Sequence, residues 1–178
     1  AERVTRADQD AFALESHQRA IGAMDAGRFA DELVPVTVRD ARGRETIVET
    51  DEGPRRDSSI DALARLKPAF DLPSEASDDR GDATVGTVTA GNAPGITDGA
   101  AATLVASERV VERQGLHPLA RIVGYAQAEV EPKWLFLAPV TGVRRLLDRI
   151  ELPIEAFDLV EINEAFAAQS LADGRELG

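Results

Sequence analysis

Apolar and polar positions follow two different rhythms along this 178-residue chain. In the first part, apolar residues return at helical spacing and then alternate. Thr5 is a helix cap with Asp8 in the capping-box position three residues later. Phe12, Ala13, Ser16, Ala20, Ile21 and Met24 then share one face, and Gly27 ends the helix. The segments "ELVPVTV" (32–38) and "ETIVET" (45–50) flank the turn "RDARGR" and predict a hairpin. After the loop "DEGPRRDSS" (51–59), Ser59 caps a short helix, "IDALARL", which must end before Lys67 and Pro68. Residues 71–84 are polar and read as an exposed, mobile loop.

The later part alternates short apolar runs with amphipathic ones. Residues 85–107 begin like a strand, break over 90–99, and resume as a small-residue apolar run. Ser107 precedes a helix, "ERVVERQG", closed by Gly115. "PLARIVGYAQAEV" (118–130) is rich in β formers and predicts a strand. "WLFLAPV" leads into a helix, "TGVRRLLDRI". "AFDLVEI" (156–162) predicts a buried strand, and "NEAFAAQSLAD" (163–173) the helix after it. Alternation of this kind indicates an α/β fold with a largely buried sheet.

Composition narrows the function classes. Hydrophobic residues make up 43% but aromatics only 4%, so the core must be built from Ala, Val, Leu and Ile. The net charge of −12 disfavours nucleic acid and anionic lipid as partners. Nearly all the basic residues are Arg, which fits both a salt-adapted surface and a GC-rich genome. The absence of Cys excludes disulfides, thiolate metal sites and a Cys nucleophile within these residues. His17 and His117 have no metal-ligand spacing. No apolar run approaches the roughly 20 residues of a membrane span. No signal peptide is evident, so a cytoplasmic protein is the expectation. The start lacks Met and enters a helix almost at once, and the end follows closely on another, so the chain reads as a piece of something longer.

Three stretches could carry chemistry. In "TAGNAPGITDGAAA" (89–102), Gly91, Gly95 and Gly99 permit close backbone approach, Pro94 stiffens the loop, and Asn92 and Asp98 can bond the backbone. That pattern equally suits a tight structural connection, and it is neither a Walker loop nor G-x-G-x-x-G. Asn163 and Glu164 sit where a strand should deliver side chains into a crevice. They also sit where a helix wants a capping Asn and an acid near its positive end. Arg55 and Arg56 are a phosphate-binding pair or a solvated pair balancing nearby carboxylates.

Together these stretches resemble the thiolase family. "GTVTAGNAPGITDGAAATL" resembles the family's long glycine-rich segment, and "DLVEINEAFAAQ" its N-E-A-F-A motif, in the form found in acetyl-CoA acetyltransferases and 3-ketoacyl-CoA thiolases. "HPLARIVGYA", "EVEPKWLFLAPVTGVRRLL" and "RADQDAFALESHQRAIGAMDAGRFADELVPV" fit the family's order and spacing, so the resemblance covers nearly the whole chain. It implies a part of the layered αβαβα thiolase fold. Residues 1–84 would belong to the loop domain covering coenzyme A, 85–107 would end the first half-domain with its active-site loop, and 108–178 would begin the second.

The resemblance also implies roles. Asn163 would be the catalytic Asn, holding a water that helps form the oxyanion hole for the thioester enolate. Arg55 would lie against the adenine and phosphate end of coenzyme A. Phe70, Ala90, Ile96, Leu135, Ala165 and Phe166 would line the pantetheine channel and acyl pocket. Pro94 stands where many thiolases place a pantetheine-contacting Ser, and Ala62 where others have a polar coenzyme contact. The family's two Cys and its G-H-P His are not in this chain, and His117 does not replace the latter. The implied activity is acyl transfer, joining two acetyl-CoA molecules or cleaving 3-ketoacyl-CoA, with acyl-CoA as substrate and no covalently bound cofactor. The complete form would be a homo-oligomer, dimer or tetramer. This chain alone would be inactive and, with sheet edges and apolar faces open, poorly soluble. The competing readings are a non-catalytic acyl-CoA-binding or scaffolding protein, and a truncated product that folds only beside further segments.

Overall fold

A computed structural model describes residues 4–70 and 86–178; the polar loop expected at 71–84 lies outside the described residues. The first helix, α1 (Arg6–Asp25), starts as its sequence dictates. Thr5 Oγ1 accepts from the Asp8 amide at 3.1 Å, and an Asp8 carboxylate oxygen accepts from the Thr5 amide at 3.0 Å. This reciprocal cap satisfies two backbone donors that a helix start otherwise leaves orphaned. The helix ends ahead of Gly27, whose φ is 66°.

A hairpin follows. Strands β1 (Val36–Arg39) and β2 (Glu45–Val48) pair antiparallel, with Val36 opposite Val48 and Arg39 opposite Glu45. Asp40 builds the turn by accepting from the amides of Arg42 and Arg44, each at 2.9 Å. Both strands are shorter than the sequence suggests and exposed along their length. Helix α2 (Ile60–Ala64) is capped by Ser59, whose hydroxyl accepts from the Ala62 amide. It packs on α1.

Helix α3 (Glu108–Gln114) stops at Gly115, which takes the left-handed conformation, φ 61°, that lets a helix end without a Cβ clash. Ser107 precedes it but makes no side-chain capping bond. A 3₁₀ turn (Pro132–Leu137) runs directly into α4 (Ala138–Ile150). α4 lies over residues 124–128: Arg145 donates to the Gln127 carbonyl, and Arg149 donates to the Tyr125 carbonyl with its guanidinium 5.4 Å from the Tyr125 ring. A β-carbon on Gly124 would sit 2.9 Å from Ile150 Cγ2, so a side chain there would push α4 away. Helix α5 (Ala167–Leu177) closes the chain.

The chain forms two compact units, one of residues 2–95 with 164–171 and one of 96–163 with 172–178. Their interiors are small. The most deeply buried described side chains are Gln9, Asp10, Thr89 and Asp173, all polar. Large apolar residues are instead open to solvent: Ile96 and Leu119 are fully exposed, and Leu104 and Leu159 nearly so.

Three expected strands are therefore corrected. Residues 86–106, 118–130 and 156–162 form no strand among the described residues, and the apolar side chains of 156–162 are not buried. A strand is stabilised by its neighbour's ladder of hydrogen bonds, and no described segment forms a ladder with any of these.

Candidate functional site

The glycine-rich segment forms a tight turn held by its own side chains. The Asn92 amide donates to the Thr89 carbonyl at 3.2 Å, and in return Asn92 Oδ1 accepts from the Thr89 amide at 2.8 Å. Thr89 Oγ1 accepts from the Gly91 amide. Gly91 lies close to two leucines: a β-carbon there would lie 2.5 Å from Leu63 Cδ2 and 2.6 Å from Leu66 Cδ1, so those side-chain ends would have to shift. The turn thus presses its backbone onto the end of α2.

Asn92 is buried, and its amide nitrogen donates to the Thr87 carbonyl at 3.1 Å and to Asp10 Oδ1 at 3.0 Å. Asp10 in turn accepts from Arg6 Nε through both carboxylate oxygens, at 3.0 and 2.8 Å. Arg6 also donates to the carbonyls of Leu63 and Leu66, closing the C-terminal end of α2. Gln9 Nε2 donates to Thr87 Oγ1. A buried charge is tolerable only when paired and hydrogen-bonded, and Asp10, at 2% exposure, meets that condition three times over.

The N-E-A-F-A segment meets this turn. The Ala167 amide, first in α5, donates to the Asn92 carbonyl at 3.1 Å. Glu164 accepts from Ser16 Oγ of α1 at 2.6 Å. This corrects two expectations. Asn163 does not cap α5, which begins at Ala167, and Glu164 serves an inter-segment hydrogen bond with Ser16. The acceptor for that first helical amide comes from the glycine-rich turn, because the turn's carbonyl stands where a cap oxygen would.

The nine candidate residues fall in both units. Ala90, Pro94, Ala165 and Phe166 lie in the two segments that the Asn92–Ala167 bond joins. Phe70 is exposed beside that turn, since the Ala69 amide donates to the Val88 carbonyl. Arg55 is held to α1 by its amide, which donates to His17 Nδ1 at 3.3 Å, and its side chain is exposed. Ile96, Leu135 and Asn163 belong to the second unit and are exposed. Ala62 lies within α2. The residues that sequence reasoning passed over are Arg6 and Asp10. The one signal that could have found them is their spacing of four, which stacks an Arg and an Asp on one helical face.

A groove of about 560 Å³ lies elsewhere in the first unit, lined by Met24, Phe29, Leu33, Pro54, Asp25 and Arg56 among others, and contains none of the nine candidates. Arg56 donates to both oxygens of Asp25, at 2.6 and 2.9 Å. That hydrogen bonding holds the Asp25 carboxyl below its ordinary value of 3.8. A lowered carboxyl value means that the pair supports the fold above pH 3.8 and stops doing so as pH falls through the Asp25 value itself. A carbon-detected NMR titration should put the Asp25 midpoint below 3.8 and return it toward 3.8 in Arg56→Ala. Equal midpoints would mean that the pair does not form in solution.

Among the described residues no helix is long and apolar enough to cross a membrane, and no group of three His, Asp or Glu side chains could hold a metal ion.

The family model "Thiolase, N-terminal domain" matches residues 1–109, and "Thiolase, C-terminal domain" matches residues 116–178. A beta-ketoadipyl-CoA thiolase of Pseudomonas aeruginosa is 54% identical over 99% of this chain and 41% of its own length. An acetyl-CoA acetyltransferase of the same organism is 49% identical over 98% of this chain and 42% of its own. The crystal structure of the Bacillus anthracis acetyl-CoA acetyltransferase superposes with a TM-score of 0.83 at 44% identity, covering 98% of this chain and 41% of that one. The chain thus spans about 41% of the length of such relatives.

Proposed function

The chain belongs to the thiolase family and shares its α/β fold, both family domain models matching it; from that premise we propose that it forms one wall of an acyl-CoA site in a thiolase-type acyltransferase. The whole enzyme joins two acetyl-CoA molecules into acetoacetyl-CoA or cleaves a 3-ketoacyl-CoA with coenzyme A. The name of the 54%-identical relative adds beta-ketoadipyl-CoA to the acyl groups worth assaying. Residues 1–84 contribute to the loop domain over coenzyme A, 85–107 end the first half-domain, and 108–178 begin the second.

The observation that carries this reading is the meeting of the two motif segments at the Asn92 carbonyl and the Ala167 amide. It supports a shared wall on which Ala90 and Pro94 face the same channel as Ala165 and Phe166. The family resemblance is what supports a pantetheine-lining role for Phe70, Ile96 and Leu135. Pro94 has no amide hydrogen, so it shapes the channel without donating to the substrate. Arg55 supplies charge for the phosphates at the far end, and an exposed guanidinium is suited to that. Asn163 holds the water that stabilises the enolate oxygen. A neutral amide is suited to this task, since it stabilises developing negative charge with no proton to manage. The covalent and acid–base steps need two Cys and a His from residues outside these 178. The complete enzyme takes acyl-CoA as substrate, carries no covalently bound cofactor, and works in the cytoplasm as a homo-oligomer.

Titration of the chain with coenzyme A, followed by calorimetry, tests the coenzyme end. Removing a solvent-accessible phosphate contact should weaken binding in Arg55→Ala by about 3- to 10-fold, with a shallower salt dependence than the parent. Equal affinity and equal salt slope would take Arg55 out of the site.

A further inference from the structure

Three separate segments converge at Asn92. Its side chain accepts from the Thr89 amide and donates to Asp10 of α1 and to the Thr87 carbonyl. Its own carbonyl receives the first amide of α5. Nearly every polar atom it has is therefore engaged, at 4% exposure, and its partners lie up to 82 residues away in sequence. A tight turn needs no such residue. The Thr89–Asn92 backbone bond closes it, and an exposed polar residue would serve as well. What an Asn adds here is a fixed direction for the carbonyl that receives α5. A second tie, from Ser16 to Glu164, holds the entry to the same helix against α1.

We propose that Asn92 is a positioning residue: anchored on its side chain by Asp10, it uses its carbonyl to set the start of α5, and so fixes Ala165 and Phe166 relative to Ala90 and Pro94. The placement of those four residues decides how an acyl chain is seated, which makes Asn92 an indirect determinant of acyl-chain preference. This second half rests on the acyl-CoA reading given above.

Two readouts separate the halves. The first uses the chain itself. Amide hydrogen exchange at Ala167 should quicken at least about 10-fold in Asn92→Ala, while amides in the middle of α1 keep their parent rates. Unchanged exchange at Ala167 overturns the positioning role whatever the enzyme does. The second uses the full-length enzyme, with acetoacetyl-CoA and a longer 3-ketoacyl-CoA as substrates. A shift of the α5 entry should change the ratio of the two kcat/KM values by about 5-fold or more, since small misplacements are costly in rate. Because Asn92→Ala could simply lower the folded fraction, the same ratio is measured for Asn92→Asp, which keeps the acceptor for Thr89 but sets two carboxylates against each other. Asn92→Asp combined with Asp10→Asn restores one amide–carboxylate bond and should bring the ratio back toward the parent. Equal losses on both substrates, or no recovery in the double variant, overturns the role in chain preference. A parent enzyme that turns over neither substrate defeats the acyl-CoA reading alone and leaves the exchange result standing.

Discussion

Alanine in place of Asn163 should lower the kcat of the complete enzyme by about 10²-fold, near 2.7 kcal/mol, the lower end of what one oxyanion donor contributes. The lower end applies because the role proposed for this amide is exercised through a water, and a water can find substitute partners. KM should move little, since the interaction strengthens only as charge develops on the enolate oxygen. Asn163→Asp sharpens the test. It keeps the shape but sets a negative charge beside a developing negative charge, so it should be at least as damaging as alanine. Steady-state kinetics of the two variants beside the parent decide the matter. A parent-like kcat in both would remove Asn163 from the chemistry. Its exposed position ahead of α5 already separates it from simple helix capping, because the first amide of that helix is satisfied by Asn92.

The largest stability effect should come from Asp10→Ala. The Asp10 side chain is 3% exposed and faces the Arg6 guanidinium and the Asn92 amide together. Deleting it strands a partly buried cation and a buried N–H in one step. Breaking a buried pair from one side costs about 3–5 kcal/mol, and Arg6, at 24% exposure, keeps enough water and carbonyl contact to favour the lower figure. For a chain of this size that is roughly a 6–12 °C drop in melting temperature. Asp10→Asn should cost less, since an amide oxygen still accepts from Asn92. The contrast is Glu15→Ala, one helical turn along. Its partner Arg19 is 79% exposed, and the pair should contribute less than about 1 kcal/mol. Thermal melts of the three variants side by side test this. Equal melting points for Asp10→Ala and Glu15→Ala would mean that the Arg6–Asp10–Asn92 connection does not hold the turn.

These two sites differ in how legible they were. The caps at Thr5 and Ser59 and the stop at Gly115 could be read directly, because a cap is a contact between residues three or four apart. The hairpin could be read for the same reason, Asp40 and Gly43 specifying its turn locally. The Asp10–Asn92 bond joins residues 82 apart, and no local period encodes it. Asn92 was marked as a residue able to bond backbone, which was correct for Thr89 but gave no sight of Asp10. Strands failed for a related reason. Residues 118–130 and 156–162 have strand composition, yet composition supplies only one side of a ladder. The capping alternative for Asn163 arose because the Asn-Glu pair fits a cap so well, whereas the helix waits until Ala167. The family motifs were legible throughout, and the matches over residues 1–109 and 116–178 agree with them.

The hydrogen bond between Ser16 and Glu164 spans 148 residues. A ribosome adding about 5–20 residues per second delivers the second partner roughly 7–30 s after the first. During that interval α1 can be complete and capped, and once residue 92 has been added, about halfway through, the glycine-rich turn can sit on Asp10. The groups that receive α5 then remain hydrated until the N-E-A-F-A segment arrives. Assembly of this wall is therefore sequential by construction, with the first helix as its template and the last helix as its closing piece.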